Sequence, residues 1–303
     1  MANPHSAAVG ETAQFAALLA RARNFLAPGA KFELFNHLTL IIGVAVVFFP
    51  LYLMLVASTL SSQDVVNPPL PLLPGAQGPE NYKSAWTGAE TGLPAWKMMK
   101  VSLIVALGVT AGKTVLSLLS AFAAVYFRFP LRGLFFALIF ATLMLPVEVR
   151  ISPTYDAVAA MGLVNSYGGM ILPLIASATA TFLFRQFFMT VPNEILEASK
   201  VDGASPMRFF FSILLPLSRN NIIALCIIQF IYGWNQYLWP LLMKTSDDMT
   251  AIVVGVKAMM GTGGSVSNYG AVMATCALAL IPPLLVIALL QKRFVEGLVE
   301  SEK

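Results

Sequence analysis

Residues 108–114 read Gly-Val-Thr-Ala-Gly-Lys-Thr, which is close to a phosphate-binding loop. That motif needs four residues between its two glycines, and here only three separate Gly108 from Gly112. A phosphate-binding loop also follows a strand, whereas this segment lies inside a long apolar run. The sequence therefore predicts no nucleotide site here. The Gly-x-x-x-Gly spacing instead predicts a face that another apolar helix can approach closely.

The sequence offers few residues that could bind a metal or carry out redox chemistry. His5 and His37 are far apart, and no Cys stands near either of them. Cys226 and Cys276 both fall within apolar stretches, where a free thiol behaves as a small buried hydrophobic group. We therefore predict no metal site, no disulfide and no catalytic residue.

Five polar side chains stand inside apolar stretches, where a polar path could use them: Lys113, Glu148, Arg150, Asn235 and Gln236. If the surrounding helices cross a membrane, each ionisable group costs about 2.5–3.5 kcal/mol, so each is a candidate for a functional role. Each also has a structural alternative. Lys113 could extend to the headgroups, Glu148 could pair with Arg150, and the two amides could bond to neighbouring helices.

The composition indicates that lipid is the solvent for much of this chain. Hydrophobic residues make up 57% of the 303 residues and charged residues only 11%, whereas a soluble domain carries about a quarter charged residues. The net charge of +4 comes from basic residues that stand in ones and twos between apolar stretches. Such scattered charges are typical of membrane topology signals and do not predict a nucleic-acid partner.

Six stretches have the roughly 20 apolar residues that a membrane-spanning helix needs. They are about 37–60, 98–126, 133–153, 168–190, 221–243 and 269–291. Because lipid leaves unpaired backbone groups unsatisfied, we predict an all-α integral membrane protein. With the N-terminus inside, twelve of the 19 Lys and Arg residues are cytoplasmic, six are outside and Lys113 lies within a span. This bias predicts that both termini are cytoplasmic.

The stretches divide the chain into four regions. Residues 1–36 are predicted to be a cytoplasmic tail without a signal peptide, because no apolar core precedes a cleavage site. Residues 37–97 hold the first helix and a Pro-rich outer loop, which we expect to be ordered but non-helical, with short turns. Residues 98–291 hold the other five helices, and 292–303 form a second cytoplasmic tail.

The inner loop 191–220 is the most strongly patterned part of the chain. Residues 193–201 are mostly good helix formers, and Asp202-Gly203 is a typical helix stop. Ser205 can cap a second helix that begins at Pro206. The pattern predicts two short helices joined by a Gly turn. They form either a rigid cytoplasmic knob or an amphipathic connector lying on the headgroups.

This loop resembles the EAA loop of binding-protein-dependent ABC importer permeases. The matching residues are Glu197-Ala198-Ser199, then Asp202-Gly203-Ala204, with Leu215-Pro216 following. Ser199 departs from the family pattern, which has Ala at that position. The resemblance implies a type I permease fold and a coupling helix that enters a groove on an ATPase subunit. The coupling positions would be Glu197, Ala198, Ser199, Asp202, Gly203 and Ala204.

The resemblance extends from about residue 36 onward. It is greatest to the carbohydrate-uptake permeases and, among these, to the second permease subunits of sn-glycerol-3-phosphate importers. The stretches that carry it are 129–132, 143–150, 177–190, 230–240 and 294–303. It implies a bacterial inner-membrane protein that works with a homologous sister permease, two ATPase subunits, a soluble substrate-binding protein and membrane lipid. ATP and Mg would bind to the ATPase subunits, and this chain would bind no cofactor.

The expected cargo is sn-glycerol-3-phosphate or a related glycerophosphodiester, moved by alternating access. Relatives commonly carry an acid where this chain has Gln236, and loss of that negative charge would suit an anion. A neutral sugar on the same fold stays an alternative. An ion-coupled secondary transporter is less favoured because no inverted repeat is visible. A membrane enzyme would need clustered His, Asp or Glu near one face.

Overall fold

The computed structural model describes residues 28–142, 147–261 and 268–300, with side chains over 35–142, 149–261 and 268–291. The described residues divide into two units, with the boundary between Val56 and Ala57. The first unit is dominated by helix α1 (Pro28–Ala57), of which Phe35–Ala57 is long and apolar enough to cross a membrane. Of the predicted tails 1–36 and 292–303, residues 1–27 and 301–303 lie outside the described residues.

The Pro-rich segment after α1 contains two short helices that the sequence did not predict. These are α2 (Ser62–Val66) and α3 (Gly78–Thr87). The expectation of a wholly non-helical loop was wrong. Pro79 lies in the first turn of α3, where a proline does not disturb a helix, and the next proline is Pro94. Asn81 anchors α3, since its Nδ2 donates to the backbone oxygens of Ser58 and Leu60 at 3.0 and 2.9 Å.

Helix α4 (Ala95–Tyr126) is a continuous helix of 32 residues and forms the centre of the second unit. A Cβ added to Gly108 would lie 2.6 Å from Cδ1 of Ile171, and one on Gly112 would collide with Ile175. The predicted close approach at the Gly-x-x-x-Gly face is therefore confirmed. The approaching segment is a broken helix.

The fourth predicted span is divided, and the third is described only in part. The third contains α5 (Arg132–Ala141) and the start of α6 (Val147–Ala160), separated by residues 143–146, which lie outside the described chain. The fourth consists of α7 (Tyr167–Ile171), a 3₁₀ turn (Leu172–Leu174) and α8 (Ala178–Thr190), with a bend of 46°. An unbroken helix across 168–190 was wrong. Ser177 begins α8 anew by accepting a hydrogen bond from the Ala180 N–H at 3.3 Å.

The inner loop forms α9 (Asn193–Val201), α10 (Pro206–Phe209), one π-helical turn (Phe210–Leu214) and α11 (Leu215–Leu217). After a 76° bend, α12 (Arg219–Trp234) follows. The remaining elements are α13 (Leu238–Met243), a 3₁₀ turn (Asp247–Met249), α14 (Ile252–Met259) and α15 (Tyr269–Glu300). The fifth predicted span, 221–243, is therefore interrupted after Trp234, where Asn235–Tyr237 separate α12 from α13.

Helix α12 packs against both α4 and α15, and α4 also packs against α8. Within the described residues, three helices are long and apolar enough to cross a membrane, and the number rises to five if each bent pair counts as one span. The described residues contain only helices, turns and loops, which agrees with the predicted all-α class. Six spans remain a prediction.

Candidate functional site

The turn between α9 and α10 is a Schellman motif, the hydrogen-bonded ending in which a left-handed residue closes a helix. Gly203 has φ +71, a conformation that disfavours any side chain. Its N–H donates to the Lys200 carbonyl at 3.0 Å, and the Ala204 N–H donates to the Ser199 carbonyl at 2.9 Å. The second helix begins as predicted, because the Ser205 side chain accepts from the Arg208 N–H at 3.3 Å. The two short helices therefore have a fixed relative orientation.

The six predicted coupling positions divide into two groups by exposure. Glu197, Ala198, Asp202 and Gly203 are exposed, and Ala204 is half-buried. Ser199 is only 4% exposed, and its Oγ donates to the Leu196 carbonyl at 2.7 Å. A side chain in that position faces inward, so Ser199 contributes to the loop through packing and its backbone carbonyl rather than through an outward contact.

An aromatic cluster that the sequence analysis missed anchors the loop to α4. Phe209 and Phe210 are buried. The Phe209 ring lies 5.3 Å from that of Tyr126, and the Phe210 ring lies 4.8 Å from that of Phe122. The Tyr126 hydroxyl also donates to the Phe188 carbonyl at 3.2 Å. The available signal was the Phe-Phe-Phe run at 209–211, but its partners are far away in the sequence.

The outer side of the loop exposes apolar side chains. Val201 is 88% exposed and Met207 47%. Val201 directly precedes the exposed acid Asp202 and lies one helical turn after the exposed acid Glu197. This combination of a rigid backbone, a buried aromatic anchor and an exposed apolar and acidic face is suited to contact with another protein.

The second candidate site is a cavity of about 790 Å³ between α4, α5, α6, α8 and α12. Lys113 and Arg150 both line it, and Lys113 is 6% exposed. The Lys113 Nζ lies 3.6 Å from the centre of the Tyr232 ring, which is a cation–π contact. Gln229 lines the same wall.

The other predicted path residues are not brought to this cavity. Asn235 is exposed, and Gln236 donates from Nε2 to the Tyr232 carbonyl at 3.2 Å. Neither is among the described residues that line the cavity. The side chain of Glu148 lies outside the described residues, so its pairing with Arg150 stays a prediction. Gln229 and Tyr232 were missed, although their spacing of three places them on one face of a helix.

Comparison with known proteins identifies the family. Residues 114–299 match the family described as "Binding-protein-dependent transport system inner membrane component". The chain belongs to this family. The loop 191–220 lies within the matched range. This chain is therefore a permease component of an ABC importer and a multi-pass protein of the inner membrane.

Relatives in this permease family cover nearly the whole chain. A protein of Salmonella typhi named "sn-glycerol-3-phosphate transport system permease protein UgpE" is 54% identical over 272 residues, covering 89% of this chain and 97% of that protein. The protein of the same name from Escherichia coli O1:K1 / APEC is 53% identical with the same coverage. A solved bacterial ABC transporter involved in the import of the acidic polysaccharide alginate has a chain that matches with a TM-score of 0.76 and 19% identity. That match covers 88% of this chain and 98% of the solved one and supports the permease fold.

Proposed function

We propose that this chain is one of two permease subunits in an importer for sn-glycerol-3-phosphate or a related glycerophosphodiester. The observation that carries the proposal is the high identity to two permeases of that named transport system, sustained over 97% of their length. The complete importer would contain this permease, a homologous sister permease, two ATPase subunits and a soluble binding protein. ATP and Mg would bind to the ATPase subunits and not to this chain.

In this proposal, the α9–α10 loop docks on an ATPase subunit. The exposed Glu197, Ala198 and Asp202 would contact the ATPase, while the Schellman turn at Gly203 holds them in place. When the ATPase dimer closes on ATP, the loop would move with it. The aromatic contacts of Phe209 and Phe210 would transmit that movement to α4, which lines the cavity.

The same proposal assigns the loop and both termini to the cytoplasm. Its support is the excess of Lys and Arg on that side of the predicted spans, which is the usual determinant of membrane orientation.

The test is ATP hydrolysis by the complete complex reconstituted in liposomes. We expect binding protein loaded with sn-glycerol-3-phosphate to stimulate hydrolysis and maltose with the same components to have no effect. Stimulation by maltose alone would support the neutral-sugar alternative and overturn the proposed cargo. Uptake that needs an ion gradient and no ATP would overturn the importer mechanism.

A charge reversal tests the docking role separately. Glu197→Arg should uncouple hydrolysis from cargo, because it replaces an exposed acid at the proposed interface. Glu194→Arg is the matched control, since Glu194 is an exposed acid on the same helix but outside the coupling positions. Equal effects of the two substitutions would contradict the assignment of Glu197.

A further inference from the structure

The cavity carries positive charge without a compensating acid among its described residues. Lys113 and Arg150 line it, and no carboxylate does so in the part of the chain whose side chains are described. Within that part, neither cation forms an ion pair. Lys113 is buried whereas Arg150 is exposed, and a buried cation without a counter-charge is unfavourable, so the site favours an anionic ligand.

Lys113 is held in position rather than free to turn away. Its ammonium lies over the Tyr232 ring at 3.6 Å, and the ring carries no net charge that would neutralise it. The side chain is more than nine-tenths buried and lines the cavity. Its amino group is therefore held at the wall of the cavity, within reach of a ligand.

The N-terminus of α8 adds a second source of positive potential. Ser177, Ala178 and Thr179 all line the cavity where the broken span restarts. The first N–H groups of a helix have no acceptor within it, and the helix dipole makes this end attractive to anions. In a helix of 13 residues both effects are well developed.

Uncharged donors complete the wall. Gln229 is 6% exposed and lines the cavity, and its amide makes no hydrogen bond to another described residue. Ser120 and Thr179 also line the cavity with hydroxyls that are unbonded within the described structure. These groups can bond to the ester oxygens or alcohol groups of a ligand.

We propose that this cavity binds the phosphate group of the cargo, with Lys113 and Arg150 as its cationic ligands and the N-terminus of α8 as a further donor. The inference rests on the proposed function for the identity of the cargo, but its chemistry is that of any phosphate ester. A monoester dianion fits best, because its two charges match the two cations, which form no ion pair among the described residues.

The test compares two cargoes of different charge in proteoliposomes that contain the complete complex. Lys113→Met should lower uptake of sn-glycerol-3-phosphate at least tenfold, which is about 1.4 kcal/mol. Uptake of a glycerophosphodiester should fall about threefold, because halving the ligand charge halves the Coulomb energy. Lys113→Arg should restore most of the activity. Arg150→Gln should show the same preference for the less charged cargo. Equal losses for the two cargoes would indicate a structural defect and overturn the proposal.

Lys100→Met is the matched control, since Lys100 is an exposed lysine on the same helix and does not line the cavity. We expect it to leave uptake of both cargoes unchanged. If Lys113→Met behaves like Lys100→Met, the proposal is wrong.

Two further measurements are needed. One distinguishes phosphate of the cargo from phosphate of a phospholipid, and the other tests the phosphate site independently of the proposed cargo. A phospholipid headgroup has the same chemistry, so native mass spectrometry should compare lipid retained by the wild-type and Lys113→Met complexes. Normal uptake together with loss of a bound phospholipid would overturn the assignment to cargo. Equilibrium dialysis of the complex without binding protein measures its binding of inorganic phosphate. It therefore tests the site even if the wild-type complex imports neither ester. Weaker phosphate binding by Lys113→Met is expected, and unchanged binding would refute the site.

Discussion

Substitutions of Gly203 should weaken the binding of this permease to ATPase subunits, and the loss should depend on the residue introduced. The backbone of Gly203 has φ +71, and a Cβ built there meets nothing within 4 Å. A new side chain would therefore clash with no neighbour. Any loss of activity in Gly203→Ala comes from backbone conformation alone.

The magnitude follows from that conformation. A non-glycine residue in the left-handed region costs roughly 1–2 kcal/mol, and Asn costs less because its side chain can bond locally. A change of one or two kcal/mol alters a population by a factor of about 5–30. Gly203→Pro should be far worse, because proline requires φ near −65° and removes the N–H that bonds to Lys200. The lost hydrogen bond alone is worth about 1 kcal/mol.

The assay is co-purification of the ATPase subunits with the tagged permease, followed by cargo-stimulated ATP hydrolysis. Retained ATPase should decrease in the order Gly203, Gly203→Asn, Gly203→Ala, Gly203→Pro. Gly162 supplies the control, because it has φ +69, open space around its Cβ and the same helix-ending hydrogen bonds, but lies outside the coupling loop. If Gly162→Ala uncouples the complex as strongly as Gly203→Ala, or if Gly203→Pro transports normally, the docking argument fails.

Three other predictions concern orientation, stability and the path. In a cysteine-free background, Lys200→Cys should resist an impermeant thiol reagent in intact cells while Leu73→Cys reacts, and the reverse pattern would invert the topology. Asn81→Ala should lower the melting temperature of the purified protein, since losing its two buried backbone hydrogen bonds costs about 1–3 kcal/mol for each acceptor left unsatisfied; an unchanged melting temperature would contradict the anchoring role. Gln236→Glu should change uptake of the phosphate ester by less than threefold, because Gln236 is not among the described cavity residues, and a loss as large as that of Lys113→Met would place it at the cavity.

The structure of the loop 191–220 was predictable from sequence because it is determined locally. An Asp-Gly stop, a Ser-Pro start and a run of helix formers each act within a few residues, and the structure confirms both short helices and the left-handed Gly203. The inward position of Ser199 was not predictable, because it depends on what packs beneath α9. The same holds for the aromatic anchor, whose members come from α4, α8 and the loop.

The sequence did not predict the breaks within the apolar stretches. Average hydropathy over 20 residues reports whether a segment suits lipid, but it does not report a change of direction within it. Pro173 and Ser177 were both visible in the fourth span, as were Asn235 and Gln236 in the fifth. Each is tolerated inside a membrane helix when neighbouring groups satisfy the backbone, so sequence alone did not distinguish a kink from a complete interruption.

The interruption of the fourth span has a consequence for function. An unbroken helix across 168–190 would have used the N–H groups of Ala178 and Thr179 in internal hydrogen bonds, and the break at Ile175–Ser177 releases them. Free backbone donors are not stable in hydrocarbon, so a break at membrane depth persists only where protein, water or a ligand satisfies them. Here the freed end of α8 opens on the cavity that Lys113 and Arg150 also line. The backbone donors and the two cations share one requirement, which is a ligand with several negatively charged oxygen atoms. A phosphate group meets that requirement with a single ligand, so the same ligand would account for the break and for the two cations beside it.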